Sequence, residues 1–238
     1  MVTRPIFSPL RNEVGVRVET SVPFVWSPGF ASSQKKKNVL ALHAAIRESD
    51  SEKIPLEVSS KSEVDVGIRL SAFNLGTTAN GKVYTVESVF QASKVFEGGV
   101  GPFPELYGEN PLKVRQTIRE LATRPLVAFQ TGSTVWDITP TRAFYDWVYC
   151  RALHRNLGLV EKLAAYNCFT DIEFNPVRSL NCQAYAVALY LSLMANGVLD
   201  EALGGKDAFL RYHPEETVGQ LKSNSVPRKR KATRRARS

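Results

Sequence analysis

The sequence predicts a helix-rich α+β fold in one domain, from about residue 3 to 213, ending in a disordered basic tail over 214–238. Three observations lead there. Short strand-like segments with a hairpin signal occupy the first third, three strongly apolar or well-started helices occupy the rest, and the charge changes character abruptly near the C-terminus. With 43% hydrophobic and 10% aromatic residues in a chain of 238, there is material for a substantial core.

The elements follow in order. "SPGFASSQKKKNVLALHAAIRES" opens a helix near Ser33, with Val39, Leu40, Leu42, Ala44 and Ile46 as candidates for its buried side. "IPLEVSSKS" reads as a short strand with a polar finish. "GIRLSAFNL" and "KVYTV" read as two strands joined through "GTTANGK", where Asn80-Gly81 signals a hairpin. Thr85 caps the next helix, read over Val86 to Glu97, and Gly98-Gly99 stop it. Asn110-Pro111 starts a helix with Leu112, Ile118 and Leu121 as its face, and Thr139-Pro140 launches another with Phe144, Trp147, Val148 and Leu153 inside. The segment from about Asn181 to Asn196 is so apolar that it belongs at the centre of the domain. No internal repeat or interior linker interrupts the series.

Composition excludes several classes. No run of eighteen apolar residues exists to span a membrane, and "MVTRPIFSPLRNE" has no apolar secretory core. Cys150, Cys168 and Cys182 are odd in number and His43, His154 and His213 are scattered. No spacing matches a zinc site, so a reduced, intracellular protein without metal or cofactor is expected. The final "VPRKRKATRRARS" carries seven Lys/Arg and no acid. Of the 31 basic residues, 24 then remain against 23 acidic ones, leaving a body of net charge +1 out of a total of +8. Arg228, Lys229, Arg230, Lys231, Arg234 and Arg235 form a run that either solubilises or lies along nucleic-acid phosphates. The expected location is the cytoplasm, at the nucleoid, in a bacterium; in a eukaryote the same run would address the nucleus.

The helix read over Val86–Glu97 raises the sharpest question. Glu87, Gln91 and Lys94 fall at i, i+4 and i+7, a polar seam roughly 60° wide on an otherwise apolar cylinder. Either the seam faces water or satisfies other buried groups, or it walls a cleft, because a buried charge needs partners. Candidate walls for such a cleft include Phe24, Trp26 and Phe30, flat side chains able to stack or to fill a core, and the amide of Asn74. In "FTDIEFNPVRSLNCQ", Asp171, Glu173, Asn175 and Asn181 alternate with aromatic and aliphatic residues, as a structural network or as a ligand-facing shell.

The pattern "E-x-x-F-Q-x-x-K" from Glu87 to Lys94, the Gly-Gly after it, and the "FYDW" and "FTDIEFNP…NCQA" blocks resemble the NADAR superfamily. Together with "FVWSPGFASSQKKKNVLALHAA", "LEVSSKS" and "LSAFNL", they resemble its branch of antitoxins paired with DarT-type DNA ADP-ribosyltransferases, over about Pro5 to Leu210. The segment "GENPLKVRQTIRE" departs from the basic, Asp-containing run expected of that family. The resemblance implies a compact α+β fold that binds ADP-ribose and hydrolyses its N-glycosidic bond to guanine in nucleic acid, DNA or RNA. It places the catalytic pair at Glu87 and Lys94; the candidate ligand contacts of the cleft are Trp26, Asn74, Phe90, Gln91, Gly98, Gly99, Asp171, Glu173 and Asn175. It also implies a DarT-type toxin as partner and ADP-ribose as product. Alternatives are a hydrolase of a small ribosylated metabolite and an antitoxin that acts by binding its toxin alone.

Overall fold

A computed structural model describes residues 1–214 except 80, 122, 176–178 and 180, with the backbone alone at 78 and 79. In chain order the elements are β1 (Val2–Thr3), β2 (Ile6–Pro9), β3 (Val16–Glu19), β4 (Pro23–Phe24), α1 (Ser32–Ser49), β5 (Pro55–Glu57), α2 (Asp65–Arg69), β6 (Gly76–Ala79) and β7 (Lys82–Thr85). There follow α3 (Val86–Ala92), β8 (Lys94–Phe96), a 3-10 turn (Pro104–Leu106), α4 (Pro111–Leu121), β9 (Leu126–Thr131) and β10 (Thr134–Asp137). The last are α5 (Ala143–His154), α6 (Leu157–Leu163), β11 (Cys168–Thr170), α7 (Gln183–Ala195), α8 (Leu199–Leu203) and α9 (Lys206–Tyr212). The result is one mixed α+β domain built on small sheets. The basic run from Arg228 to Arg235 lies outside the described residues.

The main sheet runs β3-β2-β11-β5, antiparallel except for the β11–β5 pair, and a second runs β10-β9-β8 with antiparallel pairing throughout. Helix α7 is apolar on nearly every side, so it can be stable only if covered all round. It is, with Tyr185, Val187, Leu189 and Leu193 all buried. Helix α5 crosses the same core through Phe144, Trp147, Val148 and Leu153, the four positions expected from its sequence. A smaller core joins Val39, Leu42 and Ile46 of α1 to Ile6, Phe24, Cys168 and Ile172. All three cysteines are buried and free.

Several expectations are corrected. On α1 the buried stripe is Val39, Leu42, His43 and Ile46, an i, i+3, i+4, i+7 set, which turns Leu40 and Ala44 to solvent. The "GIRLSAFNL" stretch is not a strand: Asp65–Arg69 is a short helix, and the strand begins at Gly76. Gly67 sits in that helix at a close approach, since any Cβ there would run into the Glu57 carbonyl and the Ser62 hydroxyl. On α4, Val114 and Ile118 are buried while Leu112 and Leu121 are exposed.

The consequential correction concerns α3. Thr85 caps it as expected, accepting a hydrogen bond from the Ser88 amide at 3.2 Å. The helix, however, ends at Ala92, not Glu97. Ser93 is the turning point, and Lys94, Val95 and Phe96 are a strand paired with β9, with Lys94 opposite Phe129. A β-branched and an aromatic residue suit that ladder better than another helical turn.

Candidate active site

Helix α3, strands β8 and β9, the start of α5, the segment after β11 and the first turn of α7 converge on a cavity of about 590 Å³. Glu87 sits on its wall in the first turn of α3, only 8% exposed, with its amide tied to the Ala72 carbonyl at 2.9 Å. Its Oε1 accepts from Gln91 Nε2 at 3.0 Å, and Gln91 Oε1 accepts from Lys94 Nζ at 2.6 Å. The kink at Ser93 therefore does not break the seam. It carries the amine from a strand to the same line of polar atoms, and the amide couples acid to base. Lys94 Nζ also lies 5.2 Å from the centre of the Phe90 ring.

Burial dominates the electrostatics and drives both groups toward neutrality. It raises the Glu87 carboxyl above its ordinary value, against the Gln91 hydrogen bond and the charges of Arg115 and Lys94. It lowers the Lys94 amine, which Glu87 partly opposes and Arg115 reinforces. Arg115, from α4, places Nε 3.8 Å from Glu87 Oε1 and its guanidinium 5.9 Å from the Phe73 ring. Arg115, Phe73 and Tyr145 all line the cavity, and none was predicted. Arg115 comes from the segment that departs from the family pattern, and only the docking of α4 beside α3 reveals it.

The opposite wall is a hydrogen-bonded loop. Asp171 is buried; its Oδ1 accepts from the amides of Glu173 and Phe174, and its Oδ2 from Gln183 Nε2 at 3.1 Å. Gln183 in turn accepts from the Ala72 amide, so one side chain clamps two walls. Asn181 Oδ1 is buried in this lining with no donor among the described residues. Behind Asp171 lies Glu57, which accepts from Ser59 Oγ at 2.6 Å, Thr170 Oγ1 at 2.7 Å and the Ile172 amide at 2.8 Å. Burial, then the Asp171 charge, raises its carboxyl far above the usual range. Thr170 Oγ1 also lies 2.8 Å from His43 Nε2, so one hydroxyl links the carboxyl and the imidazole. Burial and the nearby Arg47 bring His43 down to about 4. A single glutamate in the apolar "PLEV" was the available signal for this network.

Of the expected site residues, the structure brings Glu87, Phe90, Gln91, Lys94, Asp171 and Glu173 to one cavity. Others lie elsewhere. Trp26 packs edge-on against Phe24 beneath Arg4, 4.7 Å away, and Phe30 is fully exposed. Asn74 is exposed and donates to the Ile68 carbonyl. Gly98 and Gly99 form the exposed turn after β8, at φ of 81° and 74°, where side chains would be strained. Asn175 accepts from the Ser179 amide through its carbonyl and is not among the lining residues. Among the described residues no group of three or more His, Cys, Asp or Glu could hold a metal, and no helix is long and apolar enough to cross a membrane.

Fold and cavity together define a class: an α+β protein with an open cavity whose wall pairs a carboxyl with an amine through an amide. Within it, the chain belongs to the family described as DarT1-associated NADAR antitoxin, whose model matches residues 2–223. Among curated proteins no sequence matches the chain significantly.

Proposed function

We propose that this antitoxin acts as an enzyme, removing ADP-ribose from guanine bases of nucleic acid and so reversing the modification made by a DarT-type toxin. The observation that carries the reading is the Glu87–Gln91–Lys94 line, in which acid and amine share one cavity wall and burial pushes each toward its uncharged form. A protonated carboxyl can deliver a proton to a leaving base, and an uncharged amine has a lone pair to attack with. The antitoxin family supplies the toxin as the source of the modified base.

The chemistry runs through an opened ribose. As the ring opens, Glu87 gives its proton to the ring oxygen, leaving C1 of the sugar doubly bonded to the guanine nitrogen as an iminium. Lys94 Nζ adds its lone pair to C1 and passes one proton to Glu87, which hands it to the guanine nitrogen as the C1–N bond to the base breaks, leaving a Lys94–C1 iminium. Water then adds to the Lys94–C1 iminium as Glu87 takes up its proton, the C1–Nζ bond breaks, and the free aldehyde closes to ADP-ribose. One water is consumed. Gln91 holds the two groups in register, Arg115 at the rim meets the pyrophosphate, and Phe73 and Phe90 offer faces to the sugar and base.

The test is a mass measurement on a single-stranded DNA oligonucleotide carrying one ADP-ribosylated guanine. The wild type is expected to remove one ADP-ribose. Glu87→Gln and Lys94→Ala, each verified as folded by circular dichroism, are expected to lose roughly 10²-fold or more in rate. Borohydride during turnover should trap the Lys94 adduct. If the oligonucleotide survives the wild type while small ribosylated metabolites are cleaved, the nucleic-acid substrate is wrong. If both variants still protect cells from the toxin, the protection is not catalytic.

A further inference from the structure

Helix α3 walls two cavities. Glu87, Phe90 and Gln91 face the one described above, while Val86 and Val89, on its other side, face a second of about 260 Å³. The second cavity is bounded by Tyr84, Tyr107, Trp147 and a set of threonine side chains, and by Arg151 and Arg155 at i and i+4 on and just after α5. Two guanidiniums at that spacing repel each other, and a neighbouring anion would relieve the repulsion. Here neither forms an ion pair or hydrogen bond with another described residue. Arg151 is instead held half-buried with its guanidinium 4.5 Å from the Trp147 ring centre. Trp147 itself is 7% exposed, and its indole Nε1–H has no acceptor among the described residues.

We propose that this second cavity is a nucleotide site, with a phosphate held between Arg151 and Arg155 and its sugar and base lying against Tyr84 and Tyr107. Paired guanidiniums offer several N–H donors in a planar fork that matches phosphate oxygens. The aromatic rings offer faces on which any base can stack, a sequence-tolerant contact. The volume suits one nucleotide, and the cavity is open, so that nucleotide is either free or part of a single strand passing behind α3. The site does not depend on the hydrolytic reading, because an unmodified nucleotide suffices to occupy it.

The experiment uses the full-length protein as wild type, Arg155→Gln, and the Arg151→Gln/Arg155→Gln double variant. Arg155 is exposed and unpaired among the described residues, so its single variant tests the site without risk to the core. Probes are inorganic phosphate, deoxythymidine monophosphate and an unmodified oligothymidylate of about ten nucleotides, followed by anisotropy or competition. The basic tail is common to all three proteins, so differences between them report the cavity. Oligonucleotide affinity is expected to fall about tenfold in the double variant at low salt, and its salt slope to flatten by about 0.7, the loss of one neutralised phosphate on a single strand. Monophosphate competing as well as the oligonucleotide identifies a free nucleotide; competing far more weakly, it identifies the strand. Unchanged affinity and slope in both variants, or a response to inorganic phosphate alone, would overturn the assignment.

Discussion

Arg115→Gln probes the cavity's electrostatics without touching the reacting groups. The guanidinium Nε stands 3.8 Å from Glu87 Oε1, and its side chain is about half exposed, so a water-like dielectric is the appropriate choice. At that separation the attraction is about 1 kcal/mol, worth about 0.8 of a pH unit. The sign is the same for both groups. The cation favours ionised Glu87 and disfavours protonated Lys94, so it lowers both values, and its removal raises both. The assay is kcat/KM against pH for release of ADP-ribose, since that ratio reports the free enzyme. Wild type should give a bell, because the reaction needs a protonated acid and an unprotonated amine. In Arg115→Gln both limbs should move to higher pH, the Glu87 limb by about half a unit to one unit, whatever happens to KM. High salt should shrink the difference between the two proteins. Limbs that stay put while only KM rises would show that the pair does not feel this charge; limbs that move to lower pH would refute the sign.

Other consequences are equally open to measurement. Glu57 has a folded-state proton affinity above its unfolded one, so its contribution to stability is intact at low pH and lost as pH rises through the folded value. Chemical denaturation should therefore show wild-type stability falling between about pH 5 and pH 8, and a flatter curve for Glu57→Gln. Thr85→Ala removes the cap on α3 and should cost about 1 kcal/mol, read as a lowered Tm, while destabilising the helix that presents Glu87. Deleting the chain beyond Val226 should weaken binding to unmodified single-stranded DNA and flatten its salt dependence, and equal affinity at low salt would exclude the tail from contact.

Much of this protein was legible in its sequence because the signals are local. Thr85 before a helix, Asn110-Pro111 at a helix start and the unbroken apolarity of the α7 segment each state a short-range physical preference, and each is realised. The polar spacing of Glu87, Gln91 and Lys94 likewise predicted three groups in one line. It did so for a partly wrong reason, since Lys94 stands on a strand. A helix and the strand that succeeds it after a single turning residue keep the amine close to the amide that bonds it. What only the tertiary structure decided is long-range. Whether Val95 and Phe96 extend a helix or join a ladder depends on β9, some thirty residues later. Arg115 reaches Glu87 only because Val114 and Ile118 bury α4 beside Ala92 and Phe96, and Trp26 is excluded from the cavity because Phe24 and Arg4 hold it elsewhere. Glu57 and His43, more than a hundred residues from Thr170 in sequence, share that hydroxyl only because β5 pairs with β11. Local preferences select the elements; the partners of a buried charge are set by which elements pack together, and no residue carries that information alone.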